Sequence, residues 1–228
     1  EFFAKSQVSR NPEQVNPLEM LANHKTTTII APDEGGIKNE YSITPEMQLI
    51  NSSHLGFLDP IHTPEARVGI TLHLPLGVKK EGTNITTVVH DLKTGKQIRV
   101  TPAEFHAENV ILPDQVKWVG GKPQPIASSV KMKDPKTHEI LEKPFTDGRY
   151  VILTANQLFD ESTNLLPFLQ NDQGNRTMVA AKQLSQAVSL YHREQPLVQV
   201  KSPTAQSWER IIGTPWAHEA PFDGHVVG

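Results

Sequence analysis

The chain has 228 residues, a formal net charge of −3, 21% charged and 6% aromatic residues, and no cysteine. That length can bury a core as one large or two small domains, and the absence of thiols excludes both a disulfide scaffold and a thiolate zinc site. The slight acidity excludes a globally basic nucleic-acid binder, so any such contact must use local patches, and no apolar run approaches the roughly 18 residues of a spanning helix.

In chain order, residues 1–75 read as loops, short helices and short strands, broken at Asn11-Pro12, Asn16-Pro17, Pro32-Asp-Glu-Gly-Gly36 and Asp59-Pro60. Glu1-Phe-Phe-Ala-Lys-Ser6 lacks the basic start and cleavage site of a signal peptide. The first residue is not Met, and a piece of a longer polypeptide is the expectation. Gly35-Gly36, flanked by Ile29-Ile30 and Ile37, predicts a projecting turn, because paired glycines tolerate positive φ.

Residues 76–162 read as an inserted β module. Thr83–His90 is rich in β-branched residues, Lys93–Lys96 is a turn, and Gln97–Thr101 alternates back. A second hairpin is predicted from Ile126–Met132, the turn Asp134–Thr137, and Glu139–Leu141, with a buried strand at Tyr150–Thr154. Gly120–Pro125 reads as a loop, and Trp118 as a packing residue. In residues 163–228, Asp172 is a candidate N-cap for a helix running through Val188. Beyond Pro196 the chain reads as extended, with Trp208 and Trp216 packing. The expected architecture is mixed α/β (α+β), strand- and loop-rich, in parts 1–75, 76–162 and 163–228.

At about 100° per residue, Thr177, Ala181, Leu184, Val188 and Tyr191 share one arc of that helix, and Arg176, Lys182, Gln183 and Gln186 share the next. The first arc packs. The second offers two cations and two amides, which suit a phosphate-rich ligand such as a nucleotide or nucleic acid. An ordinary solvated face is the alternative reading of the same spacing.

Three motifs carry a resemblance. Asn175-Arg176, Met178 and Gln186-Ala-Val188, followed by Pro196-Leu-Val198, resemble the segment of multisubunit RNA polymerase β subunits that lines the path of the RNA 3′ end. Ser53-His-Leu-Gly-Phe-Leu-Asp-Pro-Ile-His-Thr-Pro-Glu65, then Val68-Gly-Ile70, resembles the signature in which His-Tyr-Gly-Arg precedes Pro-Ile-Glu-Thr-Pro-Glu-Gly. Phe2–Ser9, Asn16-Pro-Leu18 and His24-Lys25 are similar to the fork region that holds the rifampicin pocket. The three occur in family order and spacing; residues 76–149 resemble the family hardly at all.

The resemblance implies that this chain supplies no catalytic residue and no metal ligand. Mg2+ would be held by aspartates of a partner β′-like subunit, and this sequence has no Asp-x-Asp-x-Asp run. Arg176 would approach the triphosphate of the incoming nucleotide, Gln186 the RNA, and Lys182 and Gln183 would flank them. Glu65 would shape the floor of the site, with Arg67 restoring the charge that Phe57 removes where the family has Arg. Gly35, Gly36 and Lys38 would form the loop at the downstream DNA fork. Gln7, Glu13, His24 and Ile29 would stand at rifampicin-pocket positions. Implied partners are a β′-like subunit, the remaining β segments, DNA template, RNA transcript and NTPs, with no membrane, in the cytoplasm of a bacterial cell or of a phage-infected one. The divergent fork looks like the split β subunits of large-phage polymerases.

Competing readings are a non-enzymatic β-rich interaction module or scaffold fragment, and a metal hydrolase built on His54, Asp59, His62 and Glu65 with His73. The second lacks an i, i+4 pair, and Pro60 and Pro64 forbid a regular helix through the cluster. No Gly-x-Ser-x-Gly elbow or Walker-type loop is present. Thr26-Thr27 and Ile29 stand where the drug pocket has two basic residues and a serine, removing interactions worth roughly 1–3 kcal/mol each. The parent enzyme should therefore resist rifampicin; inhibition of the purified enzyme at submicromolar drug would refute this.

Overall fold

A computed structural model describes residues 15–31, 35–64, 68–188, 190–192, 194–202, 206–216 and 224–225. The first regular element, α1 (Pro17–Lys25), starts where local chemistry dictates. Asn16 Oδ1 accepts from the Leu18 amide at 2.9 Å, and Pro17 fills the first helical position, where no donor is needed. The β-branched run that follows is extended as β1 (Thr26–Thr28). It pairs antiparallel with β2 (Thr71–His73), Thr26 opposite His73.

The main sheet has seven strands: β3 (Val78–Glu81), β4 (Asn84–Asp91), β5 (Lys96–Val100), β6 (Val110–Ile111), β9 (Ser129–Lys133), β10 (Ile140–Pro144) and β11 (Tyr150–Val151). Their order is β10-β9-β6-β11-β4-β3, with β5 also on β4. Only the β6–β11 pair is parallel. The predicted β4–β5 hairpin is present, and its turn is held by Asp91, which accepts from the Lys93 amide and the Thr94 hydroxyl at 2.9 Å each. The β9–β10 hairpin is present with its turn at residues 134–139. A short helix, α2 (Pro102–His106), is set by a Thr101–Glu104 capping box and buries Phe105 completely.

Two apolar clusters fill the module. One joins Val89, Val100, Phe105, Val110, Tyr150 and Ile152 with Phe57, from the motif loop; the other joins Ile111, Val116, Val130, Met132 and Val151. Phe57 meets the Phe105 ring edge-on at 5.3 Å. This is the physical sense of an aromatic residue where the related signature carries arginine: at this position the side chain is core, not surface.

Several expectations are corrected. Residues 122–125 are not loop but a strand, β8 (Lys122–Pro125), paired with β7 (Val116–Val119). Gly120 and Gly121 close that hairpin with φ of 57° and 78°, the left-handed pair that a two-residue turn requires. Trp118 is 37% exposed, its ring against His90 and its Nε1 donating to the Leu153 carbonyl. The strand predicted to reach Thr154 stops at Val151, because Thr154 starts a capped turn with Gln157.

After α3 (Glu161–Asn164), the long helix α4 spans Gly174–Ser185. Gln173, not Asp172, precedes it, and it ends before Val188 and Tyr191, which are exposed. The extended reading beyond Pro196 misses α5 (Trp208–Gly213), capped by Ser207 Oγ accepting from the Arg210 amide at 3.2 Å. Trp208 is half-buried; Trp216 is exposed. Among the described residues no helix is long and apolar enough to cross a membrane. Phe57→Ala should lower the unfolding free energy by about 3–5 kcal/mol; an unchanged urea midpoint would show that the ring is not core.

Candidate functional site

The helix that carries the predicted contacts is fastened by one side chain. Asn16, already the cap of α1, uses its Nδ2 to donate to the carbonyls of Leu184 and Ser185 at 2.9 Å and of Ala187 at 3.0 Å. The carbonyls at a helix end lack the full set of helical partners; here the Leu184 carbonyl also accepts from the Ala187 amide at 3.4 Å. One amide thus closes the start of one helix and the finish of another. α4 buries Thr177, Met178, Ala181 and Ser185, so its opposite face remains open.

Beside this junction lies a buried polar network. Asp59 Oδ1 accepts from the Ile61 and His62 amides at 2.7 and 3.2 Å, and its Oδ2 accepts from the Asp160 amide at 2.7 Å. Asp160 caps α3 by accepting from the Thr163 amide at 2.8 Å, and its other oxygen takes the Nδ1 hydrogen of His62. His73 stacks on His62, ring centroids 3.7 Å apart. His73 Nδ1 donates to the His62 carbonyl at 2.8 Å, and its Nε2 meets Thr26 Oγ1 at 3.0 Å. The Thr26 hydroxyl hydrogen goes to the Ala22 carbonyl at 2.8 Å, which carries the network on to the end of α1.

Burial, then the charge of Asp160, pushes the Asp59 carboxyl up to about 6. Burial pushes Asp160 the same way but is outweighed: the His62 hydrogen bond and charge, the Thr163 amide and the His73 charge hold it below the ordinary carboxylate range. Nearby, Lys25 pairs with Glu161, tying α1 to α3.

His62, His73 and Asp160 bring donor atoms within 4.8 Å of one another. The composition is that of a metal site, but the two rings are parallel within 8°. An ion bound to imidazole sits in the ring plane along the nitrogen lone pair, and two parallel planes a van der Waals contact apart share no such point. The arrangement is one of stacked, hydrogen-bonded imidazoles.

His62 and His73 also line a pocket of about 290 Å³ with Thr26, Thr63, Lys182 and Gln186. Lys182 and Gln186 therefore share one pocket, with Gln186 at the C-cap of α4 and not on its face. Arg176 and Gln183 are exposed on the same helix and do not line that pocket. His24 is exposed, its Nδ1 against the Met20 carbonyl of its own helix at 2.7 Å, and Ile29 is half-buried.

Gly35 has φ 83°, and the turn is closed by the Gly36 amide donating to the Ala31 carbonyl at 2.8 Å; Gly35, Gly36 and Lys38 are all exposed. His54 lies elsewhere, on an apolar cavity. Gln7, Glu13, Glu65 and Arg67 fall outside the described residues. The sequence reading missed Asp160 and Thr26. The Asp-Glu-Ser-Thr run marks Asp160 as a helix cap, but no local signal pairs it with a histidine 98 positions away.

Residues 11–78 match the family described as RNA polymerase Rpb2, domain 3, which places this α+β segment among the multisubunit RNA polymerases. The similarity extends well beyond that domain. The chain is 28% identical over 232 residues to the DNA-directed RNA polymerase β subunit of Pseudothermotoga lettingae, covering 99% of the chain and 19% of that protein. It is 30% identical over 203 residues to that of Kosmotoga olearia, covering 87% of the chain and 17% of that protein. The match to the Clostridium kluyveri β subunit is 28% over 233 residues, covering 100% of the chain and 17% of that protein. The chain is thus homologous to a segment of the RNA polymerase β subunit, and spans about a fifth of the length of the curated relatives it matches.

The two buried aspartates should respond to pH with opposite sign. Asp59 holds its proton more tightly folded than unfolded, so its contribution is complete below its ordinary 3.8 and lost as pH rises through about 6. Asp160 is depressed, so its contribution is present at neutral pH and lost as pH falls below 3.8. In urea titrations the wild-type advantage over Asp59→Ala should shrink from acid to neutral pH. The advantage over Asp160→Ala should be about 3–5 kcal/mol at neutral pH and shrink in acid. Parallel profiles for the two variants would contradict the assignment.

Proposed function

We propose that the chain lines the nucleotide and RNA 3′-end site and the downstream fork of a DNA-directed RNA polymerase. The observation that carries this reading is the polar pocket in which the end of α4, the Pro60-Ile-His-Thr-Pro64 loop and the α1–β1 junction meet. Those are three separately recognised motifs, brought to one place. Lys182 and Gln186 offer a cation and an amide there, and Arg176 an exposed guanidinium on the same rigid helix, the donors that phosphate oxygens require. In this reading Glu65 shapes the floor of the site and Arg67 supplies the charge that Phe57 removes.

The chemistry is nucleotidyl transfer: the RNA 3′-hydroxyl attacks the α-phosphate and pyrophosphate leaves. Mg2+ is held by a partner β′-like chain and supplies charge neutralisation at the phosphates. This chain binds and orients. Alone it is inactive. The remaining β segments, template DNA, RNA transcript and NTPs are the other partners, in a bacterial cytoplasm or a phage-infected one. Gly35, Gly36 and Lys38 face the downstream DNA. Within the assembly, residues 1–75 act as the fork, 76–162 as an external module and 163–228 as the start of the hybrid-binding region. The exposed Val188, Leu190, Tyr191, Leu197 and Val198 give those partners an apolar surface to cover.

In the assembled complex, Arg176→Ala and Lys182→Ala should each slow nucleotide addition by about 10–100-fold, the value of a charged hydrogen bond to phosphate, without lowering the stability of the chain. Arg67→Ala should slow it as well. Wild-type elongation by all three variants, or failure of the chain to copurify with a subunit bearing an aspartate triad, would remove the proposal.

A further inference from the structure

Lys133 ends β9. Alternation along that strand sends Val130 and Met132 into the second apolar cluster and Lys131 and Lys133 to the opposite face. Lys131 is exposed there, but Lys133 is 0% exposed. An ammonium has three donors and no acceptor, and among the described residues its Nζ has a single hydrogen bond, to His138 Nδ1 at 3.0 Å. The neighbouring carboxylate is engaged elsewhere: Asp134 Oδ1 is taken by Lys143, and its Oδ2 accepts from the Lys136 and Thr137 amides at 2.9 and 2.8 Å. Burial holds the Lys133 amine below its usual value, with Asp134 pulling weakly the other way.

His138 meets Lys133 from a left-handed backbone, φ 59°, which residues other than glycine seldom adopt. Since Nδ1 accepts from lysine, the ring hydrogen is on Nε2. Behind it lies His106, edge-on at 6.0 Å and held neutral to about pH 4 by burial first and the Lys133 charge second. The Nδ1 atoms of His106 and His54 are buried without a hydrogen-bond partner. Lys133, His138 and His54 line a cavity of about 420 Å³ whose other walls include Ile50, Leu55, Leu58, Leu158 and Phe159.

A buried cation ordinarily has a counter-ion. Here its hydrogen-bond partner among the described residues is an imidazole on a left-handed backbone, at the wall of an apolar cavity. We propose that this cavity binds a small amphiphilic carboxylate, the head group received by His138 Nε2–H with Lys133 behind it, the hydrocarbon by the leucine and phenylalanine walls. The site is distinct from the pocket that holds Lys182 and Gln186, and its occupancy does not depend on the polymerase reading.

The test is calorimetric titration of the full chain with octanoate and with octan-1-ol, which shares the tail but not the charge. Saturable octanoate binding, about tenfold or more tighter than octanol, is expected. Lys133→Met should weaken octanoate by a similar factor and leave octanol unchanged, and Leu158→Trp, which fills the cavity, should abolish both. Should Lys133→Met fail to fold, as judged by circular dichroism, His138→Asn serves instead, because asparagine tolerates the left-handed turn. Absence of saturable binding, equal affinity for acid and alcohol, or an unaffected charge-removal variant would overturn the proposal.

Discussion

Asp160 serves three segments at once: its carboxylate caps α3 and holds His62, while its amide is accepted by Asp59. Through His73 and Thr26 the same network reaches the β1–β2 pair and the end of α1. None of these segments has much regular structure of its own; α3 has four residues and β1 and β2 three each. Buried ions are costly unless every lone pair and proton is matched, and here the matching fixes where the loops go. The loop from Asp59 to Pro64 contains prolines near both margins, Pro60 and Pro64, and cannot be held by a regular backbone ladder. It is held by side chains instead. The pocket that Lys182 and Gln186 share is thus walled in part by His62 and His73, which the buried network holds in place.

The parts of this arrangement that were legible in the sequence are the local ones. Alternation and β-branching located the β4–β5 and β9–β10 hairpins, paired glycines located the turn at Gly35, and the 177–181 arc located the packed side of α4. Other features depend on contacts distant along the chain. Lys133 has the pattern of an outward strand residue, yet it is buried, beside a cavity it lines together with residues of the 50–58 segment. Phe57 is buried for a similar reason, since its partners lie 32 to 95 positions further on, from Val89 to Ile152. The finish of α4 was misjudged because helical spacing continues through Val188, while the carbonyls before it are claimed by Asn16. α5 has a clear serine cap, but its shortness and the surrounding prolines conceal it.

The candidate site shows the same division. Residue type and spacing singled out Lys182 and Gln186, and the structure puts both on one pocket. Arg176 lies on the exposed face two turns earlier, where a partner or ligand must come to it. His62, in the Pro60–Pro64 loop, finds its carboxylate partner in Asp160, on another segment of the chain.

Asn16 carries a disproportionate share of the geometry, since a single carboxamide joins two helix ends. Side-chain amides age by cyclising onto the nitrogen of the next residue and losing ammonia, and that would convert the donor into an acceptor and sever the joint. The next residue is Pro17, which has no N–H to attack with. The proline that begins the helix thus also shields the bond that anchors it, giving this hinge point a chemical lifetime that an Asn-Gly or Asn-Ser junction would lack.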